Sequence, residues 1–116
     1  MTDADCIFCK IVAGEIPSEQ VYEDELVLAF RDINPAAAVH VLIIPKQHLE
    51  SSNALGEERA EVAARMLTVV PKIAKQEGVD ESGYRLIMNT GPDGRQEVMH
   101  MHLHLLGGGR MQHPMG

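Results

Sequence analysis

The chain has 116 residues, enough for one domain with a single core. Its 45% apolar and 23% charged residues exclude general disorder. With 10 Lys and Arg against 17 Asp and Glu, the net charge is −7. An acidic chain without a basic run is no binder of a nucleic-acid polymer, although backbone amides can still hold a small anion. No run approaches the roughly 18–20 apolar residues of a membrane span. The acidic opening "MTDADCIFCK" lacks a signal-peptide pattern, so a soluble, cytoplasmic chain with no membrane partner is expected.

In "DADCIFCKIVAGEIP", Ile7, Phe8, Ile11 and Val12 follow helical spacing, which predicts a short helix with Asp5 near its start and Gly14 as its stop. "EQVYED" and "LVLAFRDI" read as two strands of a hairpin across an acidic turn. "VHVLIIP", rich in β-branched residues and ending at Pro45, reads as a third strand. "KQHLESSNAL" is a loop with capping residues. Residues 57–77 form the one long helical pattern, with a kink expected at Pro71 and a stop at Gly78. "YRLIMNT" is a fourth strand, "GPDGR" a turn and "VMHMHLHLL" a fifth strand. The order predicts an α+β domain: a five-stranded antiparallel sheet with one short N-terminal helix and one long helix.

Three of the six histidines stand at alternate positions in "VMHMHLHLLGGG". On a strand His100, His102 and His104 share one face, while Met101, Leu103 and Leu105 share the other. The simplest account is a face of ordinary hydrogen-bonded histidines. A three-histidine metal site on this strand alone fails on distance. Same-face neighbours are ~6.5–7 Å apart and the outer pair ~13 Å, whereas zinc ligands lie some ~3–4 Å from one another. Nucleophilic catalysis fits better, because a neutral imidazole attacks phosphorus and its neighbours can orient it. "NTGPDGR" before the strand and "GGGR" after it supply the flexible, amide-rich segments that a phosphate needs.

"HMHLHLL" has the pattern His-φ-His-φ-His-φ-φ of the histidine triad superfamily. The likeness extends through "DCIFCKIVAGEIPSEQVYEDELVLAFRDINPAAAVHVLIIPKQH", "YRLIMNTGPDG" and "GRQEVMHMHLHLLGG", from about residue 5 to about 110. Together these stretches resemble the Hint-type purine nucleoside phosphoramidase branch. The resemblance implies a single domain over 1–116, with 111–116 a tail near the active site. It also implies a homodimer in which two five-stranded sheets join across the subunit boundary. The substrate class would be purine nucleoside 5′-phosphoramidates and adenylated amines, of the adenylyl-lysine or aminoacyl-adenylate type, with a purine nucleotide (AMP or GMP type) as the bound partner. His102 would attack the α-phosphorus and form a nucleotidyl-imidazole. His104 would contact phosphate and leaving group, His100 would orient the site, and the Asn89 amide would bond near the scissile group.

By the same resemblance Asp32 accepts the ribose hydroxyls, and Phe8, Ile11 and Ile33 form the apolar slot around the purine. Gly94, Glu97 and Val98 complete the substrate-binding set. Each has a plainer role: Phe8, Ile11 and Ile33 as core, Asp32 and Asn89 as turn residues. Three features depart from animal members. Glu97 stands where they carry a phosphate-binding serine, Met99 replaces a tyrosine before the triad, and "RMQHPMG" lacks their tryptophan. A carboxylate at 97 cannot donate to phosphate, so contacts there fall to backbone N–H groups.

No organic cofactor is implied. The Cys6-x-x-Cys9 spacing suits two corners of a tetrahedral zinc, and the alternative is two free, semi-buried thiols. Related triad proteins with this motif close the site with residues matching His48 and His100. His100 would then anchor the strand as a ligand. Two other functions stay open: a dinucleoside polyphosphate hydrolase, disfavoured by "GRQEV", and a regulatory nucleotide-binding protein with incidental hydrolysis. A nucleotidyltransferase is disfavoured by the intact His104.

Overall fold

The computed structural model describes residues 3–115; residues 1, 2 and 116, at the ends of the expected domain, lie outside the described residues. Helix α1 spans Ile7–Val12. Its cap falls one residue after Asp5, at Cys6, whose Sγ accepts the Cys9 N–H at 3.3 Å. Asp5 instead donates its own N–H to the Asp3 carboxylate at 2.9 Å. Strands β1 (Gln20–Glu23) and β2 (Val27–Arg31) form the expected hairpin. Asp24 builds its turn by accepting the N–H groups of Leu26 and Val27, at 2.8 and 3.0 Å. Burial opposes its charge, but the Tyr22 hydroxyl, these amides and Arg65 hold the carboxyl well below the usual carboxylate range.

Strand β3 covers Val39–Pro45, and β4 and β5 cover Tyr84–Ile87 and Leu103–Gly107. The sheet is antiparallel in the order β1-β2-β3-β5-β4. The long helical pattern is divided: a single 3-10 turn at Glu57–Arg59, then α2 (Ala60–Thr68) and α3 (Val70–Gln76). The break falls at Val69, two residues before the expected Pro71, because proline suits the first turn of a new helix, where its missing N–H costs nothing. Gly78 ends α3 with φ +76°, a conformation that suits glycine at a helix stop.

The sheet buries both faces. Val27, Ala29, Val41, Ile43, Leu103 and Leu105 meet Val62, Met66, Val70 and Ile73 of α2 and α3 in one aliphatic cluster. Alternate residues Leu28, Phe30, Leu42 and Ile44 meet Phe8 and Ile11 of α1 on the opposite face. This explains why β2 and β3 read as near-continuous apolar runs rather than alternating ones.

The triad does not lie on one continuous strand. The ladder begins only at Leu103, and residues 96–102 are irregular. Ile43 pairs with Leu103, so the next rung would put Met101 opposite Pro45. Proline has no N–H to give, and the ladder stops there. The Met101 N–H turns to the Leu49 carbonyl at 2.6 Å instead. The side-chain alternation nevertheless survives, since Met101 joins Leu103 and Leu105 in the aliphatic cluster. The fourth strand likewise ends at Ile87, short of the expected Thr90, where the chain leaves for the glycine turn.

Candidate active site

On the face that carries α1, the register places His40, Leu42, His104 and Leu106 beside one another, with Arg85 and Ile87 of β4 alongside. Where α1 leaves this face uncovered, a cleft of about 420 Å³ opens, lined by Asp32, Asn34, His40, Asn89, Glu97 and His104 among others. Four of the expected site residues, Asp32, Asn89, Glu97 and His104, therefore meet around one space. Asp32 also makes the expected turn, its Oδ1 accepting the Asn34 N–H at 2.8 Å. Gly94 sits in the turn that brings Asn89 and Glu97 together, where a Cβ would lie 2.5 Å from the Thr90 carbonyl oxygen.

Phe8 and Ile11 are core residues under α1, 6% and 7% exposed, and Val98 packs on the same cluster. The Phe8 ring stands edge-on to His100 and His102, at 5.8 and 5.2 Å between centroids, so it is a wall of the triad rather than part of the cleft. Ile33 lies outside both, 89% exposed. Met99 is half exposed in a surface groove with Asp5 and Ile7, so the absent tyrosine leaves no gap in the core. The tail residues Met111, Gln112 and His113 border a groove that shares Ala36, Ile87 and Leu106 with the cleft.

Hydrogen bonds fix which nitrogen of each neutral imidazole carries its proton. His102 Nδ1 stands 2.7 Å from the His100 carbonyl, an acceptor only, so Nδ1–H donates and Nε2 presents a free lone pair. His40 Nδ1 accepts the Ala36 N–H at 3.0 Å, so its Nε2–H donates to His104 Nδ1 at 2.9 Å. His104 must then carry its proton on Nε2, and that atom is buried with no partner. Burial, with His102 and His40 alongside, pushes the His104 imidazole down to about 4 and keeps it neutral. Burial lowers His40 as well, against the pull of Asp32, whose Oδ2 is 3.6 Å from Nε2. The site thus offers one bare lone pair on His102 and one unspent donor on His104, with ring centroids 4.9 Å apart.

His40 is the site residue that sequence reasoning missed. Its signal was a lone histidine within the apolar run "VHVLIIP". Because His40 pairs with Leu106 and Leu42 with His104, His40 is the diagonal neighbour of His104.

Behind the triad, Cys6, Cys9, His48 and His100 bring one donor atom each to within 4.8 Å of one another. His100 Nδ1 lies 3.3 Å from Cys6 Sγ and 3.6 Å from Cys9 Sγ, and His48 Nδ1 lies 3.3 Å from Cys9 Sγ. These separations are the edges of a tetrahedron with bonds of about 2.0–2.3 Å, the zinc range for nitrogen and sulfur. His100 Nε2–H donates to the Pro45 carbonyl at 2.8 Å, which leaves Nδ1 unprotonated toward the centre. Burial pushes the Cys9 thiol up, so a bound cation would have to displace its proton. The four residues fit a structural zinc.

Residues 13–111 match the profile of the HIT domain. The purine nucleoside phosphoramidase of Escherichia coli (strain K12) is 56% identical over 102 residues, which cover 88% of this chain and 86% of that protein. A 14 kDa zinc-binding protein of Zea mays is 51% identical over 118 residues, covering 100% of this chain and 91% of its own. Among solved structures, a HIT family hydrolase from Legionella pneumophila superposes with a TM-score of 0.92 at 50% identity, over 97% of this chain and 100% of that one. A histidine triad protein from Clostridium difficile reaches 0.95 at 46% identity, over 99% and 100%. Sequence, topology and triad agree that the chain belongs to the HIT family.

Proposed function

We propose that this chain hydrolyses purine nucleoside 5′-phosphoramidates and adenylated amines through a nucleotidyl-histidine intermediate. The observation that carries this reading is the pairing of a bare His102 Nε2 with an unpartnered His104 Nε2–H. Nε2 of His102 bonds to the α-phosphorus as the P–N bond breaks, and the nitrogen leaves as an amine with one proton taken from cleft water. His104 Nε2–H steadies the charge on the phosphate oxygens, and the Asn89 amide lies beside them. Water then attacks phosphorus, the P–Nε2 bond breaks, a proton returns to solvent and the nucleoside monophosphate is released. Asp32, an acceptor-only carboxylate at the cleft's edge, suits a ribose diol. Cys6, Cys9, His48 and His100 would hold a zinc ion. Its chemistry would be structural, fixing the backbone whose His100 carbonyl orients His102.

The zinc-binding and phosphoramidase relatives support this reading. For the assembly, we infer a homodimer joined along β4. That strand ends the sheet, and Leu86 on it is 38% exposed beside a groove that includes Tyr84, Met88 and Met115. We place the protein in the cytoplasm, in keeping with two unpaired cysteines.

The test is turnover of adenosine 5′-phosphoramidate beside diadenosine tetraphosphate, by the purified protein and its His102→Ala variant. Preferential release of AMP from the phosphoramidate, lost in the variant by about 10³-fold or more while AMP still binds, is expected. Preference for the tetraphosphate would assign the chain to the polyphosphate hydrolases. Binding of AMP without turnover of either compound would leave a nucleotide-binding regulator.

A further inference from the structure

The nucleophile-bearing segment, residues 96–102, has no place in the sheet ladder, so its position must be set by other bonds. Among the described residues four polar or charged residues are buried as a whole: His40, His100, His102 and Gln96. The three histidines belong to the site already described, and Gln96, 8% exposed, has no role in it so far.

Its carboxamide reaches three separate stretches of backbone. Oε1 accepts the Gly91 N–H at 3.0 Å, and Nε2 donates to the Glu50 carbonyl at 2.7 Å and the Val98 carbonyl at 2.9 Å. The Gln96 N–H returns to the Gly91 carbonyl at 3.1 Å, so positions 91 and 96 are bonded in both directions. Gly91 opens the turn after Asn89, Glu50 follows His48, and Val98 leads directly to His100 and His102. One amide with two donors and one acceptor in use thus ties together the loops that carry the phosphate-side asparagine, a metal-site histidine and the nucleophile. Among the described residues, the one backbone–backbone bond from this stretch to the loop after β3 is Met101 N–H to the Leu49 carbonyl.

We propose that Gln96 is a positioning residue for phosphoryl transfer: its carboxamide sets the distance between the Asn89 turn and the His100–His102 backbone. The His100 carbonyl that holds His102 in its Nδ1–H form is thereby kept in register with the cleft. This inference rests on the hydrolytic reading for its kinetic consequence, though not for its structural one. No apolar side chain can substitute, because it offers no partner to the Gly91 N–H or to the Glu50 and Val98 carbonyls. A carboxylate keeps the shape and the acceptor for Gly91 but turns two donors into two repulsions against carbonyl oxygens.

The test uses the full chain with Gln96→Leu and Gln96→Glu, each compared with the native protein below its unfolding transition. Three quantities are measured: kcat on adenosine 5′-phosphoramidate, Kd for AMP, and the His102 tautomer from its imidazole 15N NMR shifts. The expected result is a fall in kcat of roughly 10- to 100-fold, the scale of an ångström-sized misplacement, with Kd for AMP changed less than about threefold. The His102 Nδ1–H signature should be lost or averaged with the other tautomer. A purely structural role would lower thermal stability and leave both kcat of the folded protein and the tautomer as in the native chain; that outcome overturns the proposal. Should Gln96→Leu fail to fold, the near-isosteric Gln96→Glu decides by the same readouts. If the native chain turns over no phosphoramidate, the hydrolytic reading fails, and the tautomer alone then decides the positioning role.

Discussion

The two faces of the sheet are made from alternate residues of the same strands, yet they are held by different forces. Behind β2, β3 and β5, the helices α2 and α3 close an aliphatic cluster in which Val27, Val41, Ile43, Ile73 and Leu105 are wholly buried. On the other face Phe8, Leu28 and Phe30 share the interior with His40, His100 and His102, each tied by a hydrogen bond to backbone. The first face tolerates change as far as volume allows, because dispersion and water exclusion have no direction. The second tolerates very little, since each buried imidazole must present the right nitrogen to the right neighbour.

The widest separation of the two faces should come from truncation on the aliphatic side. Ile43→Ala removes buried volume from the centre of that cluster and should destabilise the fold by about 3–4 kcal/mol in denaturant titration. Turnover of the protein that remains folded should stay within about twofold of native. A collapse of kcat without a stability loss would erase the distinction.

Acid should act on the opposite face. His104 titrates near 4 in the fold against 6.5 ordinarily, so the unfolded chain binds more protons between these values. Stability contributed at neutral pH is therefore lost as pH falls from about 6.5 to 4, and then levels off. The loss is on the order of 3 kcal/mol for this group. Unfolding at stepped pH checks it, and His104→Asn should remove this group's share of that limb, leaving the share of His100, which burial likewise pushes down to about 4.

Removing His40 should separate orientation from binding. His40→Ala frees His104 to choose either tautomer, and kcat should fall roughly 10- to 100-fold, as when a partner that orients a histidine is lost. AMP affinity, measured by calorimetry, should scarcely move. The smallest effect is expected at the glycine turn, where Arg95 holds φ at 63°, the one non-glycine residue with positive φ among those described. Arg95→Gly should relieve that strain and raise stability by at most about 1 kcal/mol, net of the added freedom of the unfolded chain.

What the sequence disclosed followed the range of the forces involved. Strands β2 and β3 were legible because β-branched and aromatic runs bounded by Pro35 and Pro45 need no distant partner to be recognised. The alternation of His100, His102 and His104 with Met101, Leu103 and Leu105 was also legible, and the core respects it. The limit of the last strand was not, because it depends on register: only once Ile43 pairs with Leu103 does Pro45 fall opposite Met101. His40 was hidden for the same reason, its meaning arising from a diagonal across two strands 64 residues apart in the chain. The divided helix was half legible: Pro71 announced a break, but not that the proline would begin the second helix. Asp32 came forward through family resemblance alone, and Asn89 only as one amide of a glycine-rich segment until the resemblance gave it a role, since a polar residue at a strand end is as often a turn former.

Pro45 closes the β3–β5 ladder by what it lacks and seats His100 by what it keeps, since its carbonyl accepts the His100 Nε2–H. A residue with an amide hydrogen at this position could extend the sheet by one rung and draw the Met101 backbone away from Leu49. The chain would then gain regular structure at the expense of the bend in which His100 meets the cysteines while His102 bonds back to the His100 carbonyl. Fold regularity and chemistry are thus set against each other at a single imino acid, and any drift toward a longer strand would show first as a silent enzyme rather than as an unstable one.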